Sequence, residues 1–119
     1  MKRFWKAASA EAGDGGWRIL LDGRPVRTPA RAELIVPGRP LADAIVDEWN
    51  AVAEEIDPAA MPMTGFANAA IDRVGAERDS FVAEIGKYAG SDMLCYRADY
   101  PDALVERQAA AWNPLLGWA

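Results

Sequence analysis

The chain has 119 residues, 51% hydrophobic and 26% charged, a composition typical of a globular protein with one domain or one domain plus the start of another. Its net charge of −5 argues against nucleic-acid binding, and no apolar run reaches the ~18 residues of a membrane-spanning helix. Histidine is absent and Cys95 is the single cysteine, which excludes an internal disulfide and His-dependent catalysis. We therefore expect no metal, no cofactor and a reducing compartment.

Charge is distributed unevenly along the chain. Residues 1–39 carry eight Lys/Arg and four Asp/Glu, a net of +4, whereas residues 40–119 carry five and fourteen, a net of −9. This asymmetry indicates either complementary surfaces for protein partners or attraction between two layers of one fold, and the pattern alone leaves both open.

The first third of the chain predicts a small antiparallel sheet. Gly13 to Gly16 predicts a turn, and Asp22-Gly23 is the dipeptide typical of a tight hairpin. β-branched and aromatic residues surround these turns, so the expected strands are residues 3–9, 17–21, 24–28 and 33–36. Four arginines of this region indicate a solvated face, with a phosphate-binding patch as the alternative: Arg18, Arg24, Arg27 and Arg31.

Helical patterns follow. From Pro40 to Ile56 apolar residues recur at helical spacing, which predicts an amphipathic helix of about four turns lying across the sheet. Met61 to Val74 is apolar on nearly every side, as in a helix buried between other elements. We expect a short central helix there, with Thr64 as its N-cap.

Three further segments complete the chain. A helix is predicted from Asp79 to Ala89, and the apolar run Met93 to Tyr96 is short enough to favour a buried strand or extended segment. Tyr100-Pro101 precedes a last helix, after which Asn113-Pro114 is typical of the start of yet another. The apolar end of the sequence leads us to expect more chain beyond Ala119.

Together these elements predict an α+β fold, in which a small N-terminal antiparallel sheet is packed by amphipathic helices and leads into an all-helical C-terminal part. We expect residues 1–97 to form a β-rich α+β domain and residues 98–119 to begin a helical domain that is truncated here.

No spacing of residues predicts a reaction. The sequence lacks a phosphate-binding loop, a dinucleotide fingerprint and a nucleophile elbow. Cys95 lies in an apolar run, so we expect a buried, inert thiol. A pair of carboxylates such as Asp72 and Asp92 could share a proton, which keeps a small acidic enzyme as an alternative.

Several segments together resemble one family. They are Ile19 to Pro29, Glu48-Trp49, Met61 to Thr64, Ala67 to Asp72, Tyr88, Asp92 to Ala98, Arg107-Gln108 and Trp112 to Leu116. In this order they resemble the assembly chaperone that protects the alpha subunit of the F-type ATP synthase head. The sequence departs from that pattern mildly, at Gly65-Phe66, Asn113 and Gly117.

The resemblance implies a chain about twice as long, no catalytic residue, and a chaperone that shields the unassembled alpha subunit until the beta subunit binds. It implies a bacterial cytoplasmic location, or the mitochondrial matrix in a eukaryote, and we expect a monomer without membrane insertion. Trp112 and Trp118 are candidate partner-binding residues, with packing against further helices as the alternative. Asp72, Asp92 and Arg97 are candidates for a structural polar network between domains. A scaffold domain without client specificity is a further alternative.

Overall fold

Four short strands form one antiparallel sheet in a computed structural model that describes all residues from Met1 to Ala119. The strands are β1 (Ala8–Gly13), β2 (Gly16–Leu21), β3 (Arg24–Pro25) and β4 (Ile35–Val36). β2 lies at the centre, because β1 pairs along its whole length and both β3 and β4 pair with it. The predicted α+β fold is confirmed.

Both predicted turns are present, and each depends on backbone that only certain residues adopt. Asp22 and Gly23 have φ values of 50° and 80°, as a tight β2–β3 turn requires. Gly16 has φ 135°, and a Cβ built there would overlap the carbonyl oxygen of Val36. Glycine at this position therefore allows β4 to lie against β2.

The predicted first strand is shifted along the chain, since β1 begins at Ala8 and the residues before it follow a different path. There the Arg3 amide donates to the Glu54 carbonyl at 2.7 Å, and the Ile56 amide donates to the Met1 carbonyl at 2.9 Å. The N-terminal segment is thus bound to the segment that follows the first helix.

That helix, α1 (Arg39–Ala51), has 13 residues and lies across the sheet through Ala42 and Ile45, which are fully buried. The prediction that it extends to Ile56 was wrong. The chain turns extended at Val52, because the backbone of residues 54–56 pairs with the N-terminal segment instead of continuing the helix.

The predicted central helix, Met61 to Val74, is present as α2 (Pro62–Ala69) followed by a π-helical turn (Ala70–Val74), and a short 3-10 turn (Pro58–Ala60) precedes it. Thr64 is not its N-cap, because Met61 occupies that position and Thr64 lies inside the helix. Only Met61, Thr64 and Ala67 are buried, and Phe66 is 69% exposed. α2 therefore packs on one side, against α1, and is not enclosed.

Residues 1–78 hold every buried apolar side chain of the chain. These core residues are Trp5, Ala8, Ile19, Leu21, Val26, Leu34, Val36, Ala42, Ile45, Val52, Met61 and Ala67. They come from the sheet, from α1, from the start and interior of α2, and from the segments around residues 5, 26, 34 and 52, so one core lies between the sheet and the two helices.

The chain divides into two compact units, Met1–Arg78 and Asp79–Ala119. The expected boundary after residue 97 lies inside the second unit and stays a prediction for the domains of the whole protein. The second unit is helical, with α3 (Arg78–Gly86) entering it, 3-10 turns at Lys87–Ser91 and Met93–Cys95, and α4 (Asp102–Trp118).

Three sequence-based interpretations of the second unit were wrong. Met93–Cys95 is a 3-10 turn instead of a buried strand, because no neighbouring strand is available to pair with it. Cys95 is exposed, and its thiol donates to the Ala89 carbonyl at 3.1 Å. Asn113 and Pro114 lie within α4, which continues through the proline to Trp118.

None of the helices combines the length and the apolar character that a membrane span requires.

Candidate partner-binding surface

One carboxylate joins the two helices of the first unit. Glu48 on α1 accepts hydrogen bonds from the Met63 amide at 2.6 Å, the Thr64 amide at 2.8 Å and the Thr64 hydroxyl at 2.6 Å. The first amides of a helix have no partner within the helix, and its N-terminus favours negative charge. Glu48 therefore caps α2 from outside and fixes its position against α1.

A second carboxylate, Asp72, joins the π-helical turn to the loop between β3 and β4. Its Oδ1 accepts from the Thr28 hydroxyl at 2.6 Å and its Oδ2 from the Ala30 amide at 3.0 Å. The Thr28 oxygen in turn accepts from the Ala32 amide at 3.1 Å. Both oxygens of Asp72 are thus used in holding this loop.

The other two members of the predicted polar network lie in the second unit. Asp92 caps a 3-10 turn by accepting from the Leu94 amide at 2.9 Å, and Arg97 donates to the Leu94 carbonyl at 2.7 Å. Arg97 also donates to the Asn113 side chain at 2.9 Å. The structure thus brings Asp92 and Arg97 to one residue, whereas a network that also includes Asp72 stays a prediction.

The two predicted partner-binding tryptophans differ in exposure. Trp112 is half-buried, with the Arg97 guanidinium 5.4 Å from its ring centroid, an arrangement that favours a cation–π contact. Trp118 is 89% exposed near the end of α4. A partner role stays a prediction for both, and by exposure Trp118 is the more available of the two.

An arginine secures the N-terminal segment against the end of α1. The Arg3 guanidinium donates to the carbonyls of Trp5 at 3.0 Å, Lys6 at 2.7 Å and Asn50 at 3.3 Å, and to that of Val52. The last carbonyls of a helix lack hydrogen-bond partners within the helix, and they favour a nearby positive charge. Arg3 supplies both the hydrogen bonds and the charge.

Two tryptophans and an aspartate complete this join. The Trp5 indole donates to the Trp49 carbonyl at 3.3 Å, and the two rings meet edge to face with centroids 5.1 Å apart. Asp22 accepts from the amides of Ala7 at 3.0 Å and Lys6 at 3.0 Å. The hydrogen bonds from Ala7 and Lys6 lower the pKa of Asp22, because they favour its charged form.

An apolar cleft of about 460 Å³ lies beside this join. We call it the Phe4 cleft and define it by its lining residues: Met1, Phe4, Leu21, Arg24, Pro25, Val26, Arg27, Trp49 and Ile56. Phe4 is 70% exposed, and its ring meets the ring of the buried Trp5 edge to face, with centroids 5.1 Å apart. The only charged residues of the lining are the two arginines.

The second unit also exposes large apolar side chains. They lie on α3, on both 3-10 turns, on the segment before α4 and on α4 itself: Val82, Ile85, Tyr88, Met93, Tyr96, Tyr100, Leu104, Val105, Leu115, Leu116 and Trp118. Exposed apolar surface of this extent is typical of contact with another protein segment.

No group of three or more His, Cys, Asp or Glu side chains is placed to hold a metal ion.

Comparison with known proteins identifies the family. A family model described as ATP12 chaperone protein matches residues 2–119. The chain belongs to the ATP12 chaperone family. The family to which the sequence pattern pointed is therefore confirmed.

Solved ATP12 structures have the same fold. The chain is 50% identical to Atp12 from Paracoccus denitrificans, with a TM-score of 0.75 over 99% of this chain and 51% of that one. A mutant of the Paracoccus denitrificans protein gives a TM-score of 0.76 at the same identity. The mitochondrial protein atp12 of Schizosaccharomyces pombe is 28% identical over 96% of this chain and 42% of its own length. The chain thus spans about half the length of the relatives it matches.

Sequence reasoning did not identify the residues that shape the Phe4 cleft. Phe4 was interpreted as part of a strand, and Arg24 and Arg27 as part of a solvated face. The hydrogen bonds of Glu48 to the start of α2, away from the cleft, were not predicted either. The adjacent aromatic pair Phe4-Trp5 carries no sequence signal for which of its two rings is exposed.

Proposed function

We propose that the whole protein is a chaperone for assembly of the ATP synthase head. It binds the unassembled alpha subunit and shields an aggregation-prone surface until the beta subunit takes its place. It does so by contact alone, without turnover, in the bacterial cytoplasm or the mitochondrial matrix. Membership of the ATP12 chaperone family carries this proposal, because the family model matches nearly the full chain.

Surface chemistry supports the proposal. Transient shielding requires apolar surface that stays accessible in the free protein, surrounded by polar residues that keep it dispersed. The first unit offers the Phe4 cleft with Phe4 70% exposed, and the second offers apolar side chains on α3 and α4. The net charge of −5 opposes self-association of a protein with such surfaces.

Co-expression tests the proposal directly. The alpha subunit is expressed alone, with the full-length ATP12 protein, and with an unrelated acidic protein of similar size, and its soluble fraction is measured. We expect the soluble fraction to rise only with the ATP12 protein, and added beta subunit to displace the chaperone from the complex. An unchanged soluble fraction would contradict the proposal. Equal protection by the unrelated protein would contradict it too, because the effect on the alpha subunit would then be non-specific.

A further inference from the structure

We infer that the Phe4 cleft is the docking site for a client segment that combines apolar side chains with at least one carboxylate. The inference rests on the proposed function for the identity of the client, and it adds where that client binds and by which chemistry. Nothing in the family assignment names this cleft or its arginines.

The cleft is built to receive apolar side chains. Leu21 and Val26 are buried at its base, Trp49 and Ile56 are half-buried, and Phe4 is largely exposed. A volume of about 460 Å³ lies within the range of pockets that enclose a specific ligand, about 300–1,000 Å³. An exposed aromatic ring beside such a pocket is the kind of residue that anchors an interface.

The cleft is also held in place before any partner arrives. Arg3 binds the segment that carries Phe4 to the carbonyls of Asn50 and Val52, and the Trp5 indole binds it to Trp49. Because these bonds fix the segment in the free protein, docking costs little ordering of the site itself.

Charge decides which apolar segment fits. Arg24 is exposed and forms no salt bridge, and Arg27 is 58% exposed with its nearest carboxylate oxygen, on Glu33, 3.9 Å away. Both arginines line the cleft, so an occupant with a carboxylate gains an ion pair with Arg24 at the edge of an apolar surface, and Arg27 adds positive charge there although it already pairs with Glu33. A basic occupant would meet repulsion there, which supplies selectivity.

A neighbouring cavity has the opposite character. Its lining includes Glu48, Glu55 and Asp57 but no basic residue, and it lies along the segment that follows α1. Of these two cavities, only the Phe4 cleft combines exposed aromatic surface with unpaired positive charge. It is therefore the cavity suited to an acidic apolar segment.

Binding measurements on the full-length protein test the inference. The immobilised alpha subunit is titrated with wild type, Phe4→Ser, Arg24→Glu and the conservative Phe4→Leu. Phe66→Ser and Arg78→Glu are matched controls, since both residues are exposed elsewhere. We expect Phe4→Ser and Arg24→Glu to weaken binding at least about tenfold, Phe4→Leu and both controls to stay within about twofold, and Arg24→Glu to reduce the salt dependence.

The outcomes separate the two proposals. If wild type binds the alpha subunit and the cleft variants bind equally well, or the controls lose as much as they do, the cleft inference is overturned while the proposed function stands. If wild type does not bind, the proposed function falls and this inference falls with it. Thermal unfolding of each variant, expected to match wild type because Phe4 and Arg24 are exposed, excludes misfolding as the cause.

Thiol labelling locates the contact and tests the other occupant, a further part of the protein's own chain. Phe4→Cys is introduced in a Cys95→Ser background and treated with a maleimide, with Phe66→Cys as the reference for an open site. We expect equally fast labelling of both in the free full-length protein, and at least about tenfold slowing at position 4 when the alpha subunit is bound. Slow labelling in the free protein, or no slowing by the client, would overturn the inference.

Discussion

Glu48 and Thr64, on different helices and 16 positions apart, share two hydrogen bonds of 2.8 Å and 2.6 Å. One comes from the Thr64 amide and the other from its hydroxyl, and both end on the same carboxylate oxygen. The contact lies where α2 begins, so it determines the position of α2 relative to α1. Thr64 is buried, which makes an unmatched partner costly.

We predict that Glu48→Ala lowers the free energy of unfolding by about 1–3 kcal/mol, because it leaves the Met63 and Thr64 amides without a partner. Thr64→Val should cost about 1 kcal/mol, and the double variant should cost less than the sum because both changes remove the same bond. Urea unfolding monitored by tryptophan fluorescence measures all three. Asp47→Ala is the control on the same helix, and strictly additive losses would contradict the pairing.

Asp72 and Thr28 lead to a prediction about local order. Asp72→Ala removes the acceptor of the Ala30 amide and of the Thr28 hydroxyl, so the loop between β3 and β4 should open more often. We expect faster hydrogen exchange in residues 28–32 and little change in β1. Arg73→Ala, at the exposed neighbouring position, should leave exchange unchanged. Unaltered protection of the Ala30 amide in Asp72→Ala would contradict the assigned role.

Local features of the fold were predictable from sequence. Asp22-Gly23 predicted its turn correctly because the required positive φ is a property of those two residues alone. The apolar spacing of α1 likewise predicted a face directed at the sheet, and Ile45 on that face is fully buried.

Features that depend on distant contacts were not predictable. α1 ends at Ala51 and not at Ile56, because residues 54–56 pair with Met1 and Arg3 at the other end of the unit. The resemblance identified Glu48, Thr64 and Asp72 as characteristic residues, yet it gave no partners for them. Glu48 meets Thr64 only when two helices pack, and no single-sequence pattern encodes that packing.

The exposure of Phe4 was also not predictable from the sequence pattern. Its direction follows from Trp5, which faces the core and donates to Trp49. The two rings are in contact with each other, and which of the two is buried depends on tertiary contacts that a sequence pattern does not contain.

The lowered pKa of Asp22 predicts a pH dependence of stability. The hydrogen bonds from the Ala7 and Lys6 amides favour the ionised carboxylate, so the folded pKa lies below the ordinary value of 3.8. The stabilisation is fully present above that unfolded value and is lost as the pH falls through the folded pKa. We therefore expect Asp22→Asn to unfold at a lower urea concentration than wild type at neutral pH.

The difference between the two proteins should shrink as the pH falls below 3.8. Asn tolerates the positive φ of this turn, so the substitution removes charge without straining the backbone. Asp14→Asn, in the other hairpin turn, is the matched control for removal of one negative charge. A difference between wild type and Asp22→Asn that stays constant across this pH range would contradict the assignment.

Gly16 allows the sharpest test of the sheet. Gly16→Ala places a methyl group against the Val36 carbonyl on backbone with φ 135°, so β4 must shift or the strand must distort. We expect a loss of about 1–3 kcal/mol in the free energy of unfolding, the usual cost of such backbone strain. Gly13→Ala, three positions earlier with open space around its Cβ, should change it by less than about 0.5 kcal/mol. Equal effects of the two substitutions, measured by urea unfolding, would mean that β4 does not approach β2 as closely as described.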